Sequence, residues 1–279
     1  MDTGSYWRDG FLFPIQVMSA TQAQALGEEL RRLLDQWSCH PSLRRPLIDY
    51  CRANFNVVTK WGARIARQPA ILDSIEQLIG PSFVCWMTEV IIKQPHSEKL
   101  LSIHQDFTYW DMDDSDKGLT AWLALTPATP ENGCMEFVRG SHRRGQVRHH
   151  DTFAANNLLS RGQEIAASYD PEDVVHCCLQ PGELSLHHSL TFHGSGPNHT
   201  NSPRAAAVMR YLSTDMAHLD GTRSYAMLVR GRDAGHNFQL FVEPDADFSR
   251  QSMALYEQIS LQQEAHFAAG ATRAPRYRP

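Results

Sequence analysis

The sequence predicts a mainly β protein with flanking helices, built on a double-stranded β-helix, the cupin-like jelly roll. After residue 81 the chain runs in short segments rich in β-branched and aromatic residues, separated by turn signals. No helical segment alternates with them, which favours an antiparallel jelly roll over a parallel α/β sheet. The 279 residues, 42% hydrophobic, contain no linker-like stretch. We therefore expect one domain, with a helical part at about 1–80, a core at about 82–215 and an extension to 279.

Two amphipathic helices are predicted before the strands. Ser19 with Gln22 three residues later forms a capping box, followed by leucines on one helical face. A second helix begins at Pro69, a favoured first position, and ends at Gly80. Both helices are predicted to be scaffolding.

Six segments have the composition of strands, and turn signals such as Pro-Glu-Asn-Gly and Pro-Gly separate them. They are FVCWMTEVIIK, SIHQDFTYW, LTAWLAL, CMEFV, ELSLHHSLTFH and RAAAVMRYL. The longest irregular region, residues 158–179, mixes apolar and charged residues, so we expect an ordered insertion or a lid.

Composition excludes several classes of protein. The net charge of −5 argues against general nucleic-acid binding, and the basic clusters, such as the tail TRAPRYRP, are short enough to be solvated surface. The chain has no window of about twenty apolar residues and no signal-peptide pattern, so we expect a cytoplasmic protein without a membrane partner. The six cysteines form no C-x-x-C pair, which indicates reduced thiols.

The clearest candidate for chemistry is His104 with Asp106. Side chains at i and i+2 of a strand point to one face, and an imidazole beside a carboxylate supplies two ligands of the facial triad of non-haem iron. The segment alternates, with Ile103 and Phe107 on the opposite face. We therefore predict a metal site here.

Two further H-x-D triplets occur, and the motif alone is weak evidence. His149 with Asp151 and His218 with Asp220 lie in polar stretches that are not bounded as buried strands. We interpret both histidines as surface turn or loop residues.

The third metal ligand is expected from the segment HHSLTFHGSGPNHTNSPR. If its strand is unbroken, His187 and His193 share one face and His188 points the other way. Strand parity therefore leaves two candidates.

An arginine decides between them. An iron triad of this kind commonly uses a keto-acid cosubstrate, whose far carboxylate a planar guanidinium binds in bidentate fashion. A short Gly-containing turn after His193 lets Arg204 begin the next antiparallel strand close to the metal. Arg210 lies roughly 20 Å further along that strand, so we interpret it as a surface or pocket-rim residue. We choose His193 and expect His188 to be a satisfied buried histidine and His199 a loop residue.

Four segments together resemble a known family: HQDFTYW, TAWLAL, ENGCMEFVRGSH and GELSLHHSLTFHGSGPNHTNSPRAAAVMRYLS. They are similar to the phytanoyl-CoA dioxygenase family of Fe(II)/2-oxoglutarate oxygenases, and the likeness includes YWRDGFLF and IIKQP. The resemblance implies Fe(II), 2-oxoglutarate and O2 as cofactors, with roles for these residues: iron ligands His104, Asp106 and His193; C5-carboxylate clamp Arg204; cosubstrate neighbours Lys93, Trp122 and Ser195.

Structural roles remain open for the three neighbours, as an edge-strand lysine, a core aromatic and a turn serine. Halogenating relatives lack the carboxylate ligand, so Asp106 implies hydroxylation. The family chemistry converts 2-oxoglutarate to succinate and CO2 while a substrate C–H bond is hydroxylated.

The substrate is predicted to be small and polar. An acidic chain offers no basic cluster for the phosphates of coenzyme A, which favours an amino acid derivative, a betaine-like zwitterion or an aminophosphonate. Five residues near the metal motif are substrate candidates: Gln105, Phe107, Thr108, Tyr109 and Trp110. Three arginines could bind an anionic group of the substrate, or be solvated surface: Arg223, Arg230 and Arg232. Alternatives are a hydroxylase of an acyl-CoA or other lipid-like substrate, a non-catalytic metal- or small-acid-binding jelly roll, and a cupin-like isomerase.

Overall fold

The computed structural model describes residues 1–268; the predicted basic tail TRAPRYRP lies outside the described residues. The α-helices of the described part are α1 (Thr3–Asp9), α2 (Ala20–Trp37), α3 (Leu47–Arg52), α4 (Phe55–Val58), α5 (Lys60–Ile65), α6 (Pro69–Ile79) and α7 (Arg250–Ala268). The strands are β1 (Phe11–Gln16), β2 (Phe83–Lys93), β3 (Leu101–His104), β4 (Gly118–Ala124), β5 (Met135–Val138), β6 (His149–Asp151), β7 (Gln163–Ile165), β8 (Val174–Cys177), β9 (Glu183–His188), β10 (His193–Ser195), β11 (Arg204–Ser213), β12 (Ser224–Arg230) and β13 (Phe238–Phe241).

Two sheets form the body of the fold. The large sheet has the order β1-β9-β4-β11-β2-β12-β13, and the small sheet has the order β3-β10-β5-β8. All of their pairings are antiparallel except that of β12 with β13. Trp122 and Val208 of the large sheet share a buried cluster with Met135 and Phe137 of the small sheet. The two sheets therefore pack face to face, and the predicted jelly-roll class is confirmed.

The helices cover the other face of the large sheet. One buried cluster joins residues of α2, α4, α5 and α6 to helix-facing positions of the large sheet, including Leu123, Leu186 and Met209. Ser19 and Gln22 form the predicted capping box, and α6 runs from Pro69 to a Gly80 cap as predicted. The helical layer thus supports the sheet from behind and leaves its inner face to the site.

The large sheet extends beyond the predicted core of 82–215 at both ends. β1 pairs with β9 as an edge strand, which explains how Pro14 is tolerated there. β12 and β13 continue the sheet from β2 on the other side. The predicted lid is also partly sheet, since β8 pairs with β5.

Two predicted strands are broken, and both breaks matter for the site. β3 ends at His104, and Asp106 begins a 3-10 turn that runs to Tyr109. The segment with the histidines divides into β9 in the large sheet and β10 in the small sheet. His187 and His193 therefore lie on different strands, so the prediction that they share one face of an unbroken strand is wrong.

Within the described residues, no helix is both long enough and apolar enough to cross a membrane. The predicted cytoplasmic location stays a prediction.

Candidate metal centre

Three buried side chains converge between the sheets. His104 Nε2 lies 3.8 Å from Asp106 Oδ1, and His193 Nε2 lies 3.9 Å from Asp106 Oδ2. β10 pairs with β3 so that His193 stands directly opposite His104, with ring centroids 4.2 Å apart. One donor atom from each of the three residues lies within 4.8 Å of the others. The arrangement is the two-histidine, one-carboxylate set that suits non-haem iron.

Both histidines are oriented by the backbone. His104 Nδ1 lies 2.8 Å from the Ser102 carbonyl oxygen, and His193 Nδ1 lies 2.9 Å from the Thr191 carbonyl oxygen. Each Nδ1 must carry the hydrogen to make these bonds, which leaves the Nε2 lone pairs for a metal. Burial lowers the pKa of His104 to about 3 and that of His193 to about 4, so both rings are neutral at pH 7.

Asp106 is held in place by neighbours on the large sheet. Thr120 Oγ1 donates a 2.6 Å hydrogen bond to Asp106 Oδ2, and Arg210 Nη2 lies 3.3 Å from Oδ1. Burial opposes ionisation, but the charge of Arg210 and the contacts with His193 and His187 hold the pKa of Asp106 well below its usual range. A carboxylate fixed in this way is ready to bind a cation without rearrangement.

Arg210 itself corrects a prediction. It was expected at the surface or pocket rim, yet its side chain is only 14% exposed and its guanidinium bridges Asp106 and Glu89. Nη1 lies 2.8 Å from Glu89 Oε1. Burial raises the pKa of Glu89, although Arg210 offsets part of that effect. Ala206 and Val208 of β11 pack toward the small sheet, and Arg204 and Arg210 share their parity, which was the signal that could have placed Arg210.

His187, which is not among the predicted ligands, is a second residue that lies at the site. Its ring centroid lies 4.5 Å from that of His193, and Nε2 lies 3.5 Å from Asp106 Oδ2. The break between β9 and β10 allows this, because the two rings reach the same interior from opposite sheets. His104, Asp106 and His193, here called the metal group, are therefore flanked by a third buried imidazole.

Arg204 lies further along the same interior and is fully buried. Its Nη2 donates to the Gly133 carbonyl at 2.8 Å and to Ser195 Oγ at 3.1 Å, and Cζ lies 5.3 Å from the centroid of the Trp122 ring. Within residues 1–268, its Nε and Nη1 have no hydrogen-bond partner, and neither has Trp122 Nε1. A buried cation with two unused donors is what a carboxylate of a small acid requires. The residues present thus fit Fe(II) with a dicarboxylic cosubstrate.

Lys93 stands behind Ser195 instead of on the cavity wall. Its Nζ contacts the Ser195 carbonyl at 3.1 Å, and makes closer contacts with Ser195 Oγ and the Gly196 carbonyl. Burial and the nearby charge of Arg204 lower the pKa of Lys93 to about 6. Lys93 therefore supports the serine that meets Arg204.

A cavity of about 110 Å³ opens beside the metal group, and a smaller one of about 60 Å³ adjoins it. Most of the lining is apolar, including Trp122 and Met135 toward the Arg204 end. The two cavities share charged side chains and one leucine: Arg52, Glu89, Asp106, Leu159 and Arg210. The space is suited to a small molecule with polar groups.

The five predicted substrate residues have different positions. Gln105 is turned away from the cavity, because its amide bonds the backbones of residues 145, 147 and 190. Tyr109 and Trp110 line the smaller cavity, although Trp110 also packs in a buried cluster. Phe107 and Thr108 line a separate outer cavity of about 380 Å³. Only two of the five are thus placed next to the space beside the metal group.

The three arginines proposed for an anionic group do not line these two cavities. Arg230 forms ion pairs with Asp73 and Glu76 on α6, and Arg223 donates to the Phe238 carbonyl. The hypothesis that they contact the substrate is not supported, and the exposed Arg232 fits the alternative of solvated surface.

The other histidines mostly have structural partners. His188 is buried and satisfied, with Nε2 3.0 Å from Asp116 Oδ1, and His199 is an exposed loop residue, as expected. His149 Nε2 accepts from the Gln105 backbone N–H at 3.1 Å.

His218 is buried, so its predicted surface position is wrong. It lies within metal-binding reach of Asp111 and Asp220, but its Nδ1 contacts the Asp111 carbonyl and its Nε2 contacts Ser224 Oγ. The two acids are exposed, and we assign no metal to this group.

Comparisons with known proteins agree with this geometry. The family model of phytanoyl-CoA dioxygenase matches residues 6–206. The human peroxisomal phytanoyl-CoA dioxygenase is 30% identical over 161 residues, which cover 56% of this chain and 47% of the human protein. A protein of Stutzerimonas stutzeri, described as a probable alpha-ketoglutarate-dependent hypophosphite dioxygenase, is 29% identical over 175 residues and 60% of each chain. The match thus spans about half the length of the human relative.

Among solved structures, the non-heme monooxygenase ThoJ has a TM-score of 0.82 at 29% identity, covering 95% of this chain and 97% of that one. Its nickel complex gives a TM-score of 0.79 at 27% identity, with 96% and 99% covered. The predicted resemblance is confirmed, since the family model covers well over half of the chain. The chain belongs to the phytanoyl-CoA dioxygenase family.

Proposed function

We propose that this protein is an Fe(II)- and 2-oxoglutarate-dependent dioxygenase that hydroxylates a C–H bond of a small polar metabolite. The observation that carries the proposal is the pairing of a buried two-histidine, one-carboxylate group with a buried arginine that has unused donors. A jelly roll that only holds a metal has no need of a buried, partly unpaired guanidinium, whose desolvation is costly.

The distance between the metal group and Arg204 supports 2-oxoglutarate as the cosubstrate. Ser195, which accepts from Arg204, lies two residues beyond His193 on β10. Two residues of a strand span roughly 7 Å, a distance that a five-carbon diacid can cover between a metal and a guanidinium. His104, Asp106 and His193 would hold the metal, and Arg204 with Ser195 would hold the far carboxylate.

The chemistry divides between the metal and the protein. Bound iron supplies O2 activation coupled to decarboxylation of 2-oxoglutarate, with succinate and CO2 as coproducts. The chain fixes the ligand positions, orients the cosubstrate at its far end and encloses the reaction between two sheets. Asp106 supplies the carboxylate ligand, which favours hydroxylation over halogenation.

The charged lining supports a small polar substrate. Arg52, Glu89 and Arg210 border the two cavities, so a substrate that enters meets both signs of charge. An amino acid derivative, a betaine-like zwitterion or an aminophosphonate would complement this lining in charge. The likeness to phytanoyl-CoA dioxygenase favours a second candidate, hydroxylation of an acyl-CoA.

The test is succinate release from the purified protein with Fe(II), 2-oxoglutarate and O2. One arm adds a panel of small zwitterions and aminophosphonates, and the other adds long-chain and branched acyl-CoA thioesters. Stimulation of succinate release above the uncoupled rate, with a product 16 mass units heavier because one oxygen atom is added, identifies the substrate class. Stimulation by the thioesters alone would show that the substrate is an acyl-CoA and not a small polar metabolite. Absence of 2-oxoglutarate turnover in every arm would overturn the proposal.

A further inference from the structure

His187 lies on β9, the second strand from one edge of the large sheet, beside the metal group. It lies on β9 opposite Thr120 of β4, the residue whose hydroxyl bonds Asp106. Its side chain is about 1% exposed, and its ring centroid lies 5.1 Å from that of Phe137 across the interior. His187 also lines the cavity beside the metal group. The imidazole is thus part of the wall that surrounds any molecule bound to the metal.

This imidazole makes a long contact with Asp106 and no hydrogen bond of normal length. Among residues 1–268, neither His187 Nδ1 nor Nε2 has a hydrogen-bond partner. The 3.5 Å separation from Asp106 Oδ2 is longer than a normal N–H···O bond, and that oxygen already accepts at 2.6 Å from Thr120. Buried polar groups normally have partners, so an unpaired imidazole on a cavity wall indicates one supplied by a ligand.

The position of the His187 ring indicates which end of the cosubstrate it can contact. Arg204 serves the far carboxylate, since it lies against Trp122 and Ser195. His187 lies instead against His193 and Asp106, two of the three metal donors. A group bound to the metal beside these donors comes within reach of the imidazole.

We propose that His187 donates a hydrogen bond to the metal-bound carboxylate of 2-oxoglutarate and is thereby a further cosubstrate-binding residue. This inference rests on the proposed function. The cosubstrate would then be held by the protein at both ends, by Arg204 at its C5 carboxylate and by His187 at its C1 carboxylate. A hydrogen bond to a charged acceptor of this kind corresponds to roughly a 10- to 100-fold gain in affinity.

Calorimetric titration of the Ni(II)-loaded protein tests this without turnover. His187→Phe keeps the volume of the ring and removes both nitrogens, so the Kd for 2-oxoglutarate should rise about 10- to 100-fold. His187→Gln retains an N–H donor and should recover part of the affinity. The matched control is His188→Phe, at the neighbouring histidine that bonds Asp116, and its Kd for 2-oxoglutarate should stay within about twofold of wild type.

The affinity for Ni(II) itself separates two roles of His187. A cosubstrate ligand leaves the Ni(II) affinity of His187→Phe unchanged, whereas a residue that only positions Asp106 would weaken Ni(II) and 2-oxoglutarate binding together, which would overturn the proposal. An unchanged Kd for 2-oxoglutarate in His187→Phe would also overturn it. If His187→Phe does not fold, His187→Leu supplies a second donor-free variant. Wild-type protein that binds Ni(II) but not 2-oxoglutarate would contradict the proposed function itself.

Discussion

Arg204 Nη2 lies 3.1 Å from Ser195 Oγ, which joins the first residue of β11 to the last residue of β10. Because His193 begins β10, this contact fixes the distance from the guanidinium to the metal group. Lys93, which stands opposite Arg204 on β2, supports the same serine from behind. The length of acid that the site can accept is therefore set by backbone pairing between strands.

Arg204→Lys should weaken 2-oxoglutarate binding at least about tenfold. A lysine keeps the charge but loses the planar fork that binds a carboxylate through two parallel hydrogen bonds. The measurement is the Kd for 2-oxoglutarate on the Ni(II)-loaded protein, with Arg230→Lys as the control because Arg230 pairs with α6 outside the cavities. Equal affinities for Arg204→Lys and wild type would show that Arg204 does not hold the cosubstrate.

Arg210→Met should lower the free energy of unfolding of the metal-free protein by about 3 kcal/mol. The substitution leaves the buried Asp106 and the half-buried Glu89 as two carboxylates without their shared cation. Glu89→Gln in the same chain should recover part of the loss, so a double-mutant cycle in urea should give a coupling of about 1 kcal/mol or more.

The control cycle uses Arg67 and Glu243, an exposed ion pair that should couple by less than about 1 kcal/mol. Additive effects at Arg210 and Glu89 would mean that the bridge seen in the structure does not contribute to stability.

Lys93 should make the stability of the protein rise with pH. Its pKa is about 6 in the folded chain, whereas the ordinary pKa of a lysine side chain is 10.5. Between these values the unfolded chain binds a proton that the folded chain lacks, so the free energy of unfolding increases with pH by up to about 1.4 kcal/mol per unit. Below pH 6 both states are protonated and the dependence ends.

Urea unfolding of wild type and Lys93→Met between pH 6.5 and 9.5 measures this contribution. The variant should lack the upward slope. The difference in free energy of unfolding, wild type minus variant, should therefore increase as pH rises. Parallel curves for the two proteins would place the pKa of Lys93 near its ordinary value.

Gln105→Ala should affect stability and not cosubstrate binding. The side chain makes three hydrogen bonds, to the carbonyls of Gly145 and Leu190 and from the N–H of Val147. Removing it leaves three backbone groups without this partner, including the carbonyl of the buried Leu190, at a cost of about 1–3 kcal/mol in the free energy of unfolding. Thermal unfolding and the 2-oxoglutarate Kd together check this. A raised Kd for 2-oxoglutarate with normal stability would indicate instead that Gln105 lines the cavity.

The elements that the sequence predicts best are those with local signals. The capping box at Ser19 and the proline and glycine that bound α6 depend on neighbouring residues, and the structure agrees with both. β1 was missed because Pro14 is atypical of a strand, and only its edge position makes the residue acceptable.

The site residues also divide into those with a local sequence signal and those that tertiary packing places. His104, Asp106, His193 and Arg204 come together as the motif and the family resemblance imply. The places of His187 and Arg210 depend on the packing of one sheet on the other, because each reaches the metal group from the large sheet. The break between β9 and β10 hides the place of His187 from strand parity, whereas for Arg210 the shared parity with Arg204 along the continuous β11 was an available signal.

The most direct test of the account is an anaerobic titration of the protein with Fe(II) and 2-oxoglutarate, followed by visible absorption. Chelation of iron by the keto acid should produce a weak metal-to-ligand band in wild type. His193→Ala, which removes one of the three ligands, should abolish it. Arg204→Lys should shift its half-saturation to higher 2-oxoglutarate. The absence of a band in wild type, or a band that persists unchanged in His193→Ala, would contradict the assignment of this site.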